Sequence, residues 1–197
     1  MPSTLTASLL DRLKETGALL EGHFRLSSGR HSDRYVQCAQ LLQHPHHAEA
    51  VCRDLAGRLP GPVDVVVGPA MGGIVVAYEL ARALGGRALF TERVDGQMAL
   101  RRGFRIVPGE RVLVVEDVVT TGLSAREAMT IVQAAGGKVV AVASLIDRSG
   151  GTMPFDVPFV SAARLEITTF TPETCPHCAS GLPVTKPGSR PETASQP

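Results

Sequence analysis

Lysine is scarce in this chain. Among 20 basic residues only Lys14, Lys138 and Lys186 are lysines. Nearly every positive charge is therefore a guanidinium, which neutralises anions but cannot serve as an acid near neutral pH. An excess of either sign is also missing: 20 Lys and Arg against 19 Asp and Glu leave +1, which gives no electrostatic case for binding nucleic acid. No stretch approaches the roughly 18–20 apolar residues that cross a bilayer, so no membrane span is expected. The first residues, MPSTLTASLLDRLKETG, carry acids and a helical spacing instead of a charged-then-apolar signal pattern. Four cysteines in 197 residues make no disulfide framework, and a reducing cytoplasm is the expected location.

What is present suits a soluble globule. Hydrophobic residues are 44% and charged residues 20% of the chain, enough for one sizeable core. Leu9, Leu10, Leu13 and Leu20 predict a helix over 4–20 ended by Gly22, and 23–39 reads as two small strands with a turn. A helix is expected over 46–58. From VDVVVG (63–68) onward, strand and helix alternate: a turn at GPAMGG (68–73), helix 74–84, strand 87–91, a Gly-punctuated excursion over 94–110, strand 111–115, a helix to about 135 and strand 138–146. Near-continuous apolar strands in such alternation indicate a parallel sheet with helices on both faces. Residues 155–170 look like one or two antiparallel strands, and the tail from Thr171 should be irregular. The expected architecture is one α/β domain, 1–197. Its core is about 60–150, with a small hood from about 20–40 and 152–170 and an irregular tail over 171–197.

Chemistry concentrates in VLVVEDVVTTGLSAREA (112–128). Four apolar residues run into Glu116 and Asp117, then into a small hydroxyl-rich turn that opens a helix. In open parallel sheets, ligands bind beyond the carboxyl ends of the strands. A Gly-containing turn at a helix start offers backbone N–H groups and the positive dipole end to an anion. Two acids beside an anion cradle make sense when the ligand is a sugar phosphate, whose hydroxyls donate to the carboxylates. The bland alternative is an ordinary strand–turn–helix connection. Gly68, Gly72 and Gly73 in VVVGPAMGG (65–73) allow close backbone approach by a diphosphate, or form a tight turn with helix-packing glycines. In SLIDRSGG (144–151), Arg148 could fork onto a ligand carboxylate or pair with Asp147.

The 112–128 segment resembles the phosphoribosyl-diphosphate (PRPP) motif of type I phosphoribosyltransferases, and three further segments narrow the likeness to the orotate phosphoribosyltransferases. FRLSSGRHSDRYV (24–36) is similar to the segment that closes over the base, GPAMGG to the diphosphate loop, and SLIDR to the strand end that takes the carboxylate. ETCPHCASGLPVTKPGSR (173–190) resembles the C-terminus of a bacterial subfamily, so the match runs from about residue 5 to Arg190. The resemblance implies a type I phosphoribosyltransferase fold and transfer of phosphoribose from PRPP to orotate in UMP biosynthesis. Glu116 and Asp117 would hold the ribose 2′- and 3′-hydroxyls. Val118, Val119, Thr120, Thr121, Gly122, Leu123 and Ser124 would hold the 5′-phosphate, with Met71, Gly72 and Gly73 at the diphosphate. Thr120, Arg148, Ser27 and Tyr35 would contact orotate. Mg²⁺ is the implied cofactor, bound mainly through PRPP with few protein ligands. A homodimer is implied, with loop 91–104 reaching the neighbouring site.

The chain departs from the family pattern where many members carry a lysine-rich loop and a lysine in the diphosphate turn. Here the loop TERVDGQMALRRGF (91–104) supplies Arg93, Arg101 and Arg102, which are expected to act electrostatically on the diphosphate. Two rival readings are a sensor of PRPP or a nucleotide that turns nothing over, and transfer to a purine or xanthine base. The missing lysines favour the sensor; the SSGRHSDRY segment and Arg148 disfavour the purine reading. CPHC (175–178) is half a zinc site, with Cys38 and Cys52 too distant in sequence to judge, and it reads as a turn with free thiols. His44, His46 and His47 read as a solvated loop and helix start.

Overall fold

The computed structural model describes residues 4–26, 28–151 and 155–187. Helix α1 (Thr4–Glu15) is followed by strands β1 (Leu19–Arg25) and β2 (His31–Val36) and helices α2 (Cys38–Leu42) and α3 (Pro45–Ala56). Then come β3 (Val65–Pro69), α4 (Gly72–Leu84), β4 (Arg87–Val94), β5 (Gln97–Leu100), β6 (Arg111–Val119), α5 (Leu123–Ala134) and β7 (Lys138–Asp147). The chain continues through β8 (Phe159–Arg164), β9 (Thr169–Phe170), a 3-10 turn over Pro172–Thr174 and the short helix α6 (Pro176–Ala179).

Six strands form the main sheet in the order β5-β4-β3-β6-β7-β8, parallel except at the β4–β5 hairpin. Strand alternation sends neighbouring residues to opposite faces. Val66, Leu113 and Val115 pack with residues of α1 to α4, while Val65, Val67, Val112 and Val114 pack with Ala125, Ala128, Met129 and Val132 of α5. Both faces are thus apolar, which explains the near-continuous valine runs. Burying each such side chain contributes about 1.5–3 kcal/mol. The parallel sheet with helices on both faces is the expected fold.

Four local expectations need correction. The first helix stops at Glu15, because the Thr16 hydroxyl and the Thr16 and Gly17 N–H groups close its last turn, so Leu19 and Leu20 belong to β1. Strand β6 runs on to Val119, since pairing with β7 continues through Val119 opposite Asp147; the two acids lie within the strand. Residues 159–164 do not join the hood. They form β8, parallel to β7, and only Thr169 and Phe170 pair antiparallel with β2. His47 is buried rather than solvated, and its Nδ1 accepts from Arg12 at 2.7 Å.

The second sheet, β1-β2-β9, is the hood. It is tied to the chain's far end by Arg30, which donates from Nε to the Thr169 hydroxyl at 2.8 Å and from its second guanidinium nitrogen to the Thr169 carbonyl at 2.7 Å.

Candidate active site

The carboxyl ends of β6 and β7 open into a cleft of about 1120 Å³ between the main sheet and the hood. Asp117, Val118, Thr120, Thr121 and Arg148 line its sheet side, and Tyr35 lines it from the hood.

Alternation along β6 places the two acids on opposite sides of the strand end. Glu116 turns toward α5, where the Ala125 N–H donates to it, and Asp117 turns toward the start of α4. Burial, and then the charge of Asp117, push the Glu116 carboxyl from its ordinary 4.5 up to about 7. Its Oε1 is buried without a hydrogen-bond partner among the described residues. Burial also raises Asp117, opposed by the N–H groups of Val118 and of Asp117 itself. Two desolvated carboxyls with an unmet oxygen suit a ligand that brings hydroxyl donors or a cation.

The turn after β6 carries Thr120 and Thr121, both exposed, and Gly122 at φ +70°, where a side chain would be strained. Gly122 caps α5 without any side-chain hydrogen bond. With the Ala125 N–H taken by Glu116, the Leu123 and Ser124 N–H groups at the start of this twelve-residue helix remain as donors for an anion.

The GPAMGG turn backs onto this acid pair. A Cβ at Gly72 would lie 2.5 Å from the Asp117 carboxylate, and one at Gly68 would lie 2.2 Å from the Gly73 carbonyl oxygen. Only glycine lets the α4 start approach the β6 end so closely. Met71 stands 81% exposed at the mouth of this turn.

On the neighbouring strand end, Arg148 follows Asp147 of β7, held by its N–H to the Val119 carbonyl at 2.8 Å. Its Nε is buried with no hydrogen-bond partner among the described residues, and burial lowers the guanidinium from its usual range. The Asp147 Oδ1 accepts instead from the Ser149 N–H at 2.8 Å. Tyr35 is raised by burial and by Asp117, and lowered by Arg148, so hydroxyl, acid and guanidinium face one space.

Of the expected residues, the structure brings Asp117, Val118, Thr120, Thr121, Arg148 and Tyr35 together around the cleft, with Glu116 and Gly72 directly behind. Val119 is fully buried and Gly73 packs on Val115, so each contributes backbone only. Ser27 lies outside the described residues. The loop arginines are elsewhere. Arg93 pairs with Glu127 on α5, while Arg102 donates to Glu92 at 2.9 and 3.1 Å and stacks on Phe90. Arg101 stands 4.0 Å from Glu92. Sequence reasoning missed Arg164, which lines the cleft and sits opposite Asp147 in the sheet register. Reading β8 as a parallel strand would have found it.

This sheet, with an acid pair preceding a turn and helix start at its carboxyl edge, has the arrangement of a phosphoribosyltransferase. The Phosphoribosyl transferase domain family matches residues 37–174, and the chain belongs to that family. Within it, the chain is 59% identical to the orotate phosphoribosyltransferase of Heliobacterium modesticaldum over 185 residues, covering 92% of this chain and 97% of the relative. It is 57% identical to that of Pelotomaculum thermopropionicum, over 90% of this chain and 94% of the relative. The crystal structure of orotate phosphoribosyltransferase from Aeropyrum pernix superposes with a TM-score of 0.65 at 31% identity, covering 80% of this chain and 93% of that one.

Proposed function

We infer that the protein is an orotate phosphoribosyltransferase, an enzyme that joins orotate to the phosphoribosyl group of PRPP and gives orotidine 5′-phosphate and pyrophosphate for pyrimidine synthesis. One observation carries this reading: Asp117, with Glu116 buried behind it, and the Thr120–Thr121 turn line one cleft with Arg148, whose Nε has no hydrogen-bond partner among the described residues. Phosphate, ribose hydroxyls and a base carboxylate each find a chemically matched group there. The orotate phosphoribosyltransferases among its relatives support the same substrate.

In the reaction an orotate ring nitrogen attacks C1 of the ribose. The C1–oxygen bond to diphosphate breaks, its electron pair leaves with pyrophosphate, and the transition state has oxocarbenium character as in other glycosyl transfers. The attacking nitrogen gives up its proton as the N–C1 bond forms, and an oxygen of the departing pyrophosphate can accept it, so no strong protein base is required. The protein's part is to hold two anions in line. Glu116 and Asp117 accept from the ribose hydroxyls. The turn from Val118 to Ser124 holds the 5′-phosphate through its N–H groups. Arg148 takes the orotate carboxylate, with Thr120 and Tyr35 at the ring. Gly72 and Gly73 give the diphosphate a backbone approach free of side chains, with Met71 at its mouth.

Mg²⁺ fits the acid end of this cleft, where Glu116 Oε1 is buried and unpartnered beside Asp117. Hard oxygen donors next to substrate phosphates are what Mg²⁺ takes. Asp117, which lines the cleft, would hold the ion with the substrates, and the ion would help neutralise the departing charge.

Arg93, Arg101 and Arg102 are proposed to meet the diphosphate in the neighbouring subunit's cleft. Their present partners do not hold them back, because exposed ion pairs are worth about 0–1 kcal/mol. A homodimer is supported by Met71, Val75 and Tyr78, which follow at i, i+4 and i+7 and stand 81%, 41% and 64% exposed along the start of α4. We place the reaction in the cytoplasm, whose reducing poise suits the free thiols of this chain.

The test is product stoichiometry. Orotate, PRPP and Mg²⁺ with the protein should yield orotidine 5′-phosphate and pyrophosphate in equal amounts. PRPP binding without either product would establish the sensor instead.

A further inference from the structure

Far from the sequence neighbourhood of the acid pair, the C-terminal CPHC turn folds back onto the hood. Cys175 and Cys178 meet His23 of β1 and His31 of β2, and the four ligand atoms all lie within 4.8 Å of one another. His23 Nε2 is 3.5 Å from Cys175 Sγ and 3.6 Å from Cys178 Sγ, His31 Nδ1 is 3.2 Å from Cys178 Sγ, and the two imidazole nitrogens are 2.9 Å apart. Around a tetrahedral zinc with its usual bond lengths, ligand atoms stand about 3.3–3.8 Å from each other. Four of the six spacings, at 2.9, 3.2, 3.5 and 3.6 Å, are close to the edges of that tetrahedron, and the other two lie within 4.8 Å.

The protonation pattern points the same way. His23 Nδ1 lies 2.7 Å from the Leu182 carbonyl, which can only accept, so Nδ1 carries the proton. Nε2, the nitrogen left to bind a metal, faces both sulfurs and His31. A backbone carbonyl on the far nitrogen is the usual outer partner of a metal-bound histidine. His23, His31 and Cys175 are buried, at 4%, 6% and 2% exposure. Two thiolates and two neutral imidazoles around Zn²⁺ sum to zero charge, which is the form that burial tolerates.

A CPHC turn that served only as a dithiol would need no imidazoles, and here two converge on it from separate strands. The pattern His23-x₇-His31 with Cys175-x₂-Cys178 was divided between the chain ends, so spacing alone did not join it. Cys38 and Cys52, the other candidates, lie elsewhere, with their thiols near the carbonyls of Asp117 and Val76.

We propose that His23, His31, Cys175 and Cys178 form a structural Zn²⁺ site that clasps the C-terminal segment to the hood. Binding displaces the two thiol protons and forms two Zn–S and two Zn–N bonds, with no change of oxidation state. The clasp acts where the hood meets the cleft. Thr185 donates its N–H to the His23 carbonyl and accepts from Arg25 N–H, both at 2.8 Å, and Arg25 and Lys186 line the cleft wall. Zinc therefore fixes the wall formed by the hood without touching the reacting groups.

The experiment is elemental analysis of the full chain, produced without a polyhistidine tag in zinc-supplemented medium, followed by replacement of the metal with Co²⁺. About one zinc per chain is expected, released on titration of two thiols by a mercurial. The Co²⁺ form should show intense d–d bands of a tetrahedral ion and thiolate charge-transfer absorption. Cys178→Ser and His31→Ala should each bring bound zinc to about a tenth or less at the same free zinc. Full-chain protein with no more zinc than the Cys175→Ser/Cys178→Ser double variant would overturn the proposal. So would a weak octahedral Co²⁺ spectrum, or a Cys175–Cys178 disulfide in protein kept under reductant. Should the variants fail to fold, the cobalt spectrum of the wild-type chain decides alone.

Discussion

Replacing Glu116 with glutamine should make the ligand-free protein more stable, and more so as pH rises. The folded carboxyl ionises at about 7 against 4.5 for its ordinary value, because burial and Asp117 disfavour its charge. A folded value raised above the unfolded one contributes stability fully present below pH 4.5 and lost as pH rises through about 7. At pH 8 the wild-type chain should carry a cost of about 3 kcal/mol from this one group, and at pH 5 less than about 1 kcal/mol. Glutamine never ionises, so its advantage over wild type should grow by about 2–3 kcal/mol between those pH values, or roughly 5–10 °C in Tm for a domain of this size. Urea unfolding of both proteins at pH 5, 6, 7 and 8 without ligand reads this directly, and the comparison cancels any pH-independent effect of the amide. The same variant should lose most of its activity, since an amide cannot replace a carboxylate toward both ribose hydroxyls. An advantage that is flat with pH, or that shrinks toward pH 8, would refute the assignment of Glu116 as a desolvated acid.

Three further outcomes follow from the geometry. Arg148→Ala should raise KM for orotate by about 30-fold or more while leaving PRPP binding nearly unchanged, since a charged contact of this kind is worth about 2–5 kcal/mol; Arg148→Lys should recover little, lacking the fork. An equal loss toward both substrates in steady-state kinetics would place Arg148 elsewhere. Gly72→Ala puts a methyl 2.5 Å from the Asp117 carboxylate and should weaken PRPP binding, measured by calorimetry, by about tenfold or more; unchanged affinity would mean that Asp117 is not a ribose ligand. Mixing an Arg101→Ala/Arg102→Ala protein with Asp117→Asn protein should restore about a quarter of wild-type activity if the loop works across a dimer, because random pairing gives half mixed dimers with one intact site each. No recovery on mixing, with dimers seen by light scattering, would mean the arginines act within their own subunit or not at all.

Much of this was legible in the sequence because it depends on local pattern. Short valine runs with no polar alternation, flanked by Gly and Pro, mark strands buried on both faces, and EDVVTTG carries its own chemistry in a few consecutive residues. What escaped depends on pairing over long separations. Residues 159–164 have the same β-forming composition whether they join the hood or the main sheet; only the register Asp147 opposite Arg164 settles it, and with it the place of Arg164 in the cleft. The four residues His23, His31, Cys175 and Cys178 span more than 150 positions, and the hairpin and the tail bring them together only once β9 has paired with β2. The position of the loop arginines was likewise invisible, because Glu92 and Glu127, which hold them, are ordinary surface acids by composition.

The central claim is that this cleft selects orotate, and base selectivity tests it most directly. Orotate loss is followed by ultraviolet absorbance with PRPP and Mg²⁺, in parallel with uracil, hypoxanthine and xanthine. The account predicts PRPP-dependent loss of orotate and no measurable turnover of the other three. Turnover of hypoxanthine or xanthine at a comparable rate, or of none of the four while PRPP still binds, would contradict it.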